Sequence, residues 1–259
     1  MSPPGRPKGE HREAQHEGTP LTTLRADQLL FSQGFGTRRH CAGLVAGGHL
    51  RVRGQVVDDA EAAFDTDGLV FEVDGHAWPY HAKALVLLHK PAGYECSMKP
   101  RHHPSVLSLL PPPLRTRGLQ PVGRLDEDTT GALLLTDDGT LIHRLTSPKH
   151  HVHKVYEVRA KHPLDDNDLQ RLRDGVVLDD DPAPVRAVAA ERTGTHALRL
   201  TLEEGRYHQV KRMLAAVGNR VDGLHRSAFG PWALPTDLPA GRWCWLDAGA
   251  ALQAGGSAA

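Results

Sequence analysis

The sequence predicts an α+β fold, with a small N-terminal module joined to a larger domain of interspersed strands and helices. Three observations predict it. Apolar residues make up 39% of the 259, enough for a sizeable core. Period-two and helical patterns alternate along the chain without the regular repetition that builds parallel βαβ sheets. The length suits one large domain plus a small one, and residues 76–83 read as the linker between them.

Residues 1–20 are rich in Pro, Gly, Glu and His and read as a flexible tail; lacking an apolar stretch, they cannot be a secretory signal. Residues 24–57 have the rhythm helix, turn, helix, hairpin. Leu24, Leu29, Leu30 and Phe31 supply one apolar helical face, which Gly34 and Gly36 interrupt. Thr37 is placed to cap a second helix through Cys41, Leu44 and Val45, and Gly47-Gly48 ends it. Strands at 49–52 and 55–57 flank a turn at Arg53-Gly54, and a strand near 67–73 completes a module spanning 21–75.

The larger domain is expected over 84–249, with a second flexible tail at 250–259. A short buried strand at 84–89 stops at Lys90-Pro91. A strand at 131–136, a helix at 139–145 and a strand at 152–160 follow. Residues 164–174 form a helix whose first-turn acids suit its macrodipole. In the next strand Leu198, Leu200 and Leu202 alternate with Arg199, Thr201 and Glu203. Val210, Met213, Leu214 and Val217 then make a core-facing helical stripe.

Composition removes several function classes. No run of about 18 apolar residues exists, so no membrane-spanning helix is expected. Cys41, Cys96 and Cys244 are scattered, which reads as reduced thiols of a cytoplasmic protein and not as a disulfide framework or zinc site. The net charge is zero, with 31 basic and 31 acidic residues, so global charge does not point to nucleic acid. The charge is segregated, however. Residues 28–57 contain Arg38, Arg39, Arg51 and Arg53 and no acid, and residues 205–226 contain five cations against Asp222. Such runs are compatible with two basic surfaces or with plain solvated faces.

Three separated segments carry candidate chemistry. In the first, 123–139, Asp126 sits in a loop that feeds a very apolar strand; it is either a partly desolvated catalytic acid or a turn cap. In the second, 147–158, Lys154, Tyr156 and Val158 share a strand face, so the tyrosine could stack on a base while the lysine meets phosphate. The alternative is a half-buried strand tyrosine. His150, His151 and His153 invite a metal reading, but no carboxylate or cysteine stands nearby at ligand spacing. In the third, 204–213, Arg206 occupies a strand-to-helix corner, ready for a carboxylate or phosphate, or simply solvated.

Together these segments resemble the RsuA/RluB-type family of bacterial pseudouridine synthases. The residues that carry the resemblance are Gly123-Arg124-Leu125-Asp126 with Thr130-Gly131, Ser147-Pro148-Lys149-His150 with Lys154-Val155-Tyr156, and Glu204-Gly205-Arg206-Tyr207-His208-Gln209-Val210-Lys211-Arg212-Met213 with Leu224-His225-Arg226. The third is closest in wording to the small-subunit, 16S rRNA branch. The N-terminal module resembles the S4 RNA-binding domain (αL-like) that precedes this catalytic domain. Two positions depart from the pattern: Gln28 stands where the S4 opening has a lysine, and His89 stands where an asparagine precedes Lys-Pro-x-Gly.

The resemblance implies a catalytic domain with a mixed, mostly antiparallel sheet flanked by helices and loops. It implies isomerisation of a uridine in 16S rRNA, with Asp126 attacking the flipped-out nucleotide, Tyr156 stacking on the base and Arg206 pairing with Asp126. Arg124, Lys154, Lys211, Arg212, Arg38, Arg39 and Arg51 are the implied RNA contacts. No cofactor or metal is implied; the partner is rRNA or an assembling small-subunit particle, met by a monomer. Rival readings are a 23S rRNA synthase, a non-catalytic S4-type RNA-binding or ribosome-assembly protein, and a histidine-rich metal protein.

Overall fold

A computed structural model describes residues 23–179 and 181–247, without the side chain of Asp181; the tails expected at 1–20 and 250–259 lie outside the described residues. Chain contacts divide the described residues into two units, one of 23–30 with 38–80 and one of 31–37 with 81–247.

The smaller unit runs β1 (Thr23–Arg25), α1 (Ala26–Ser32, its last two residues counted with the larger unit), α2 (Arg38–Ala46), β2 (Leu50–Val52), β3 (Gln55–Val57), β4 (Ala63–Asp65), β5 (Val70–Val73) and β6 (His76–Pro79). β1 pairs with β4, and the other strands form an antiparallel sheet in the order β3-β2-β5-β6. α1 buries Ala26, Leu29 and Leu30, and α2 buries Cys41 and Val45. Leu24 lies in β1, and Phe31 is 43% exposed, so the expected helical face is narrower than the sequence pattern. Arg53-Gly54 adopts left-handed φ at both positions (52° and 78°), the geometry that closes a two-residue hairpin.

The expected linker at 76–83 is corrected in its first half. Asp74-Gly75 repeats the same turn (φ 52° and 76°) and folds β6 back onto β5, where Trp78 lies opposite Phe71 and is buried. The Asp-Gly pair was the hairpin signal.

The larger unit continues with β7 (Leu85–Lys90), α3 (Pro112–Thr116), β8 (Gln120–Pro121), β9 (Thr130–Thr136), α4 (Gly139–Thr146), β10 (Lys154–Ala160), α5 (Asp166–Asp174), β11 (Val176–Leu178), β12 (Asp181–Val185), β13 (Ala189–Gly194), β14 (Ala197–Leu202), α6 (Gln209–Ala216), β15 (Val221–Phe229), β16 (Trp232–Ala233) and β17 (Trp243–Trp245). Its main sheet has the order β13-β14-β10-β15-β9-β7-β17, with β16 beside β15 and β8 beside β9. Only β15 and β9 run parallel; the other pairs of this sheet are antiparallel. The architecture is mixed α/β with a mixed sheet.

Local chemistry explains the elements. β7 and β9 are nearly continuous apolar runs because Leu85–Leu88 and Ala132–Leu135 are buried on both faces. α4 starts where the Asp138 carboxylate accepts from the Thr140 and Leu141 N–H groups. α5 starts with a reciprocal capping box between Asp165 and Asp168, and turns Leu169 and Leu172 inward. Leu85, Leu87, Leu134, Phe229 and Trp232 belong to one core cluster, which packs β7, β9, β15 and β16 together.

Candidate active site

Asp126 lies in the loop between β8 and β9, and buried groups fix that loop from beneath. Lys90, fully buried at the end of β7, donates from Nζ to the carbonyls of Pro91, Glu127 and Thr129 at 3.0, 2.9 and 2.9 Å. Burial lowers the Lys90 pKa, against the attraction of Cys96 and the neighbouring acids. Leu125 N–H donates to Cys96 Sγ at 3.4 Å, and Gly93 N–H to the Glu127 carbonyl at 3.1 Å. Gly131 follows with φ 108°, and a Cβ there would collide with the Arg226 carbonyl where β9 runs beside β15.

The Asp126 carboxylate is half-buried and meets α6. Lys211 Nζ is 3.0 Å from its Oδ2, and His208 Nε2 is 3.2 Å from its Oδ1. Lys211 also donates to both oxygens of Asp128, at 2.7 and 2.9 Å. Burial works to lower the Lys211 pKa, but the pull of Asp128 and Asp126 outweighs it and the pKa rises. His208 stands at the N-cap of α6 in a left-handed conformation (φ 48°), a strained choice for a non-glycine residue. Tyr207 stacks on it with ring centroids 3.8 Å apart, and is itself 68% exposed.

Among the described residues the expected Arg206–Asp126 pair is not formed. Arg206 Nε bonds Glu204 at 2.8 Å, while Lys211 Nζ and His208 Nε2 are the groups that meet the Asp126 carboxylate. Arg206 Nη1 also donates to the Ala183 carbonyl at 3.3 Å, so Glu204 and Ala183 hold the guanidinium. The first turn of α6 carries Lys211 to the loop instead. Lys211, expected as an RNA contact, is thus tied to two carboxylates. The spacing of His208 and Lys211, three apart at a helix start, is the signal that could have revealed it.

Two cavities open beside this cluster. The smaller, about 70 Å³, is lined by Asp126, Tyr156, Arg206, His208 and Lys211 among others. The larger, about 410 Å³, is lined by Lys154, Tyr156, Arg206, Arg226 and Phe229 among others. Arg124, Tyr156 and Arg206 belong to both walls. Asp126, Tyr156 and Arg206 are therefore brought together, although from different loops and strands. Tyr156, buried on β10, lies opposite Arg226 on β15.

The remaining predicted residues separate by exposure. Lys154 is buried, and its Nζ donates to the Val152 and Glu203 carbonyls at 2.9 and 3.0 Å. It faces the cavity and not open solvent. Arg124 is exposed at the cavity wall. Arg212 Nη1 donates to the Tyr207 carbonyl at 3.1 Å and so braces the corner. Arg38, Arg39 and Arg51 are exposed on the smaller unit, and Arg51 donates to the Gly54 carbonyl at 3.3 Å. His151 and His153 find the carboxylate that their sequence neighbourhood lacks, sharing Glu203 at 2.9 and 3.1 Å. Among the described residues no group of three His, Cys, Asp or Glu could hold a metal ion, and no helix is long and apolar enough to cross a membrane.

Residues 84–216 match the family model for RNA pseudouridylate synthase, over half of the chain. The ribosomal small subunit pseudouridine synthase A of Escherichia coli (strain K12) is 38% identical over 229 residues, covering 85% of this chain and 95% of that protein. The chain belongs to the RNA pseudouridylate synthase family. The Yersinia pestis protein of the same name is 47% identical over 157 residues, 61% of this chain and 66% of its own length. A solved pseudouridylate synthase structure superposes with a TM-score of 0.63 at 32% identity, covering 89% of this chain and 99% of that one. Within this pseudouridylate synthase the family match includes Asp126, Tyr156, Arg206 and Lys211, and it ends before Arg226.

Proposed function

We propose that this pseudouridylate synthase isomerises a specific uridine of small-subunit (16S) rRNA, with Asp126 as its catalytic carboxylate. The observation that carries the reading is Asp126 itself, held by Lys211 and His208 at the wall of a cavity that also contains the ring of Tyr156. Breaking an N-glycosidic bond favours an adjacent carboxylate, as nucleophile or as partner to positive charge on the sugar. Lys211 and His208 orient that carboxylate from two sides. Tyr156 offers a fixed aromatic face for the base, which must not escape between cleavage and rejoining. The target has to leave its stack to reach the cavity, and exposed Arg124 at the wall is placed to hold the displaced strand. Arg206 and Arg212 line and brace the same corner for contact with the RNA backbone.

The smaller unit acts as an S4-like RNA-binding module through Arg38, Arg39 and Arg51. Two arginines in the first turn of α2 oppose its macrodipole, so helix stability does not explain them. The enzyme works in the cytoplasm as a monomer on rRNA or an assembling small-subunit particle. The similarity to relatives named for the small subunit favours 16S over 23S rRNA. The test is a pseudouridine map of both rRNAs from cells lacking this gene. Loss of one 16S position is expected; loss of a 23S position would contradict the target, and an unchanged map the enzyme reading.

A further inference from the structure

Two buried cations line the larger cavity, and neither has a task in the reading above. Arg226 on β15 is 2% exposed. Its Nε donates to the Ala132 carbonyl at 2.8 Å, which fixes the guanidinium against β9. Its Cζ lies 4.9 Å from the centre of the Phe229 ring. Its Nη2 is buried and has no hydrogen-bond partner among the described residues. An unpartnered donor on a buried charged group is costly, so a polar acceptor that reaches it would be strongly favoured. Lys154 stands beside it on β10, with Nζ 5.5 Å from the same ring centre. Burial and the Arg226 charge push the Lys154 pKa down to about 8. A negative charge in the cavity would oppose that effect.

We infer that the larger cavity receives the uracil base, and that Arg226 donates to a base carbonyl oxygen and stabilises the negative charge on the detached base. The inference rests on the proposed isomerisation. A backbone phosphate suits Arg226 less well, because the strand continues from two of its oxygens and keeps it at the cavity mouth. The base is a branch of the chain and can enter the cavity that Arg226 lines. In the step, the C1′–N1 bond breaks and its electron pair leaves on N1, with the charge spread over O2 and O4. Positive charge on the sugar falls to Asp126 in the adjoining cavity. Rejoining forms the C5–C1′ bond, releases the C5 proton and protonates N1, so atoms balance without a co-reactant. A buried donor fixed in place stabilises developing charge in the manner of an oxyanion hole.

The test is single-turnover isomerisation by the full-length wild type, Arg226→Gln and Arg226→Lys. The substrates are small-subunit rRNA fragments carrying uridine, 2-thiouridine or 4-thiouridine at the mapped position. Arg226→Gln is expected to lower the rate at saturating RNA about a hundredfold, with half-saturation and the salt dependence of binding unchanged. Arg226→Lys should recover part of the rate. Sulfur accepts hydrogen bonds weakly, so the wild type should slow on one thio-RNA and Arg226→Gln should show no added slowing. A loss confined to affinity, with a shallower salt dependence, would make Arg226 a phosphate contact and overturn the inference. Equal wild-type rates on all three RNAs would overturn it too, a readout that does not depend on the variants folding. A wild type inactive on every rRNA would sink the proposed function and the inference with it; an active one with unaffected variants sinks the inference alone.

Discussion

The carboxylate of Asp126 has two partners on the start of one helix, and the pairing explains why Lys211 and His208 belong to the site. A half-buried ion pair contributes on the order of 1 kcal/mol to stability or less. Its orienting effect is the larger consequence, since misplacing a reacting group by about 1 Å costs roughly a hundredfold in rate. Lys211→Met is therefore expected to reduce kcat about a hundredfold while the melting temperature stays close to wild type. A kcat within a few-fold of wild type would remove Lys211 from the machinery. That Asp126 lies in a loop feeding an apolar strand was legible in the sequence, because the continuous apolar run within Thr130–Thr136 follows it. The cation beside it was not, because whether Arg206 or Lys211 meets it depends on the Glu204 and Ala183 contacts of Arg206 and on how α6 enters, which spacing alone does not fix.

Long elements with a clear period were readable: β9, β10, β14, α4, α5 and α6 lie within a few residues of their expected ranges. The strand β15 was not, because Val221–Phe229 interleaves Asp222, Gly223, His225, Arg226 and Ser227 with its apolar residues and shows no alternation. Its place is set by partners on both sides, β10 antiparallel and β9 parallel. The short strands β8, β16 and β17 likewise depend on neighbours. At the β9–β15 contact, Gly131 combines left-handed φ with the close approach of the Arg226 backbone. Gly131→Ala is expected to destabilise by roughly 2–4 kcal/mol, from strain plus overpacking. Denaturant unfolding measures it, and a cost below about 0.5 kcal/mol would contradict the contact.

For the molecule as a whole, a net charge of zero divides unevenly: the smaller unit bears the exposed Arg38, Arg39 and Arg51, and the larger unit bears the candidate site. Removing residues before 83 is a poor test of that division, because residues 31–37 belong to the larger unit. Buried Gln33 accepts from Arg117 Nη1 at 2.8 Å and from His81 N–H at 3.2 Å. Replacing Arg38, Arg39 and Arg51 by alanine in the full chain isolates the smaller unit's contribution. If each meets one phosphate, the salt slope of rRNA binding falls by about 2, with kcat at saturation unchanged; an unchanged slope would contradict the RNA-binding role. The central claim is that Asp126 performs the chemistry, and purified Asp126→Asn on small-subunit rRNA tests it most directly. The account predicts RNA binding within a few-fold of wild type and no pseudouridine formed. Pseudouridine formed by that variant at the wild-type rate would contradict it.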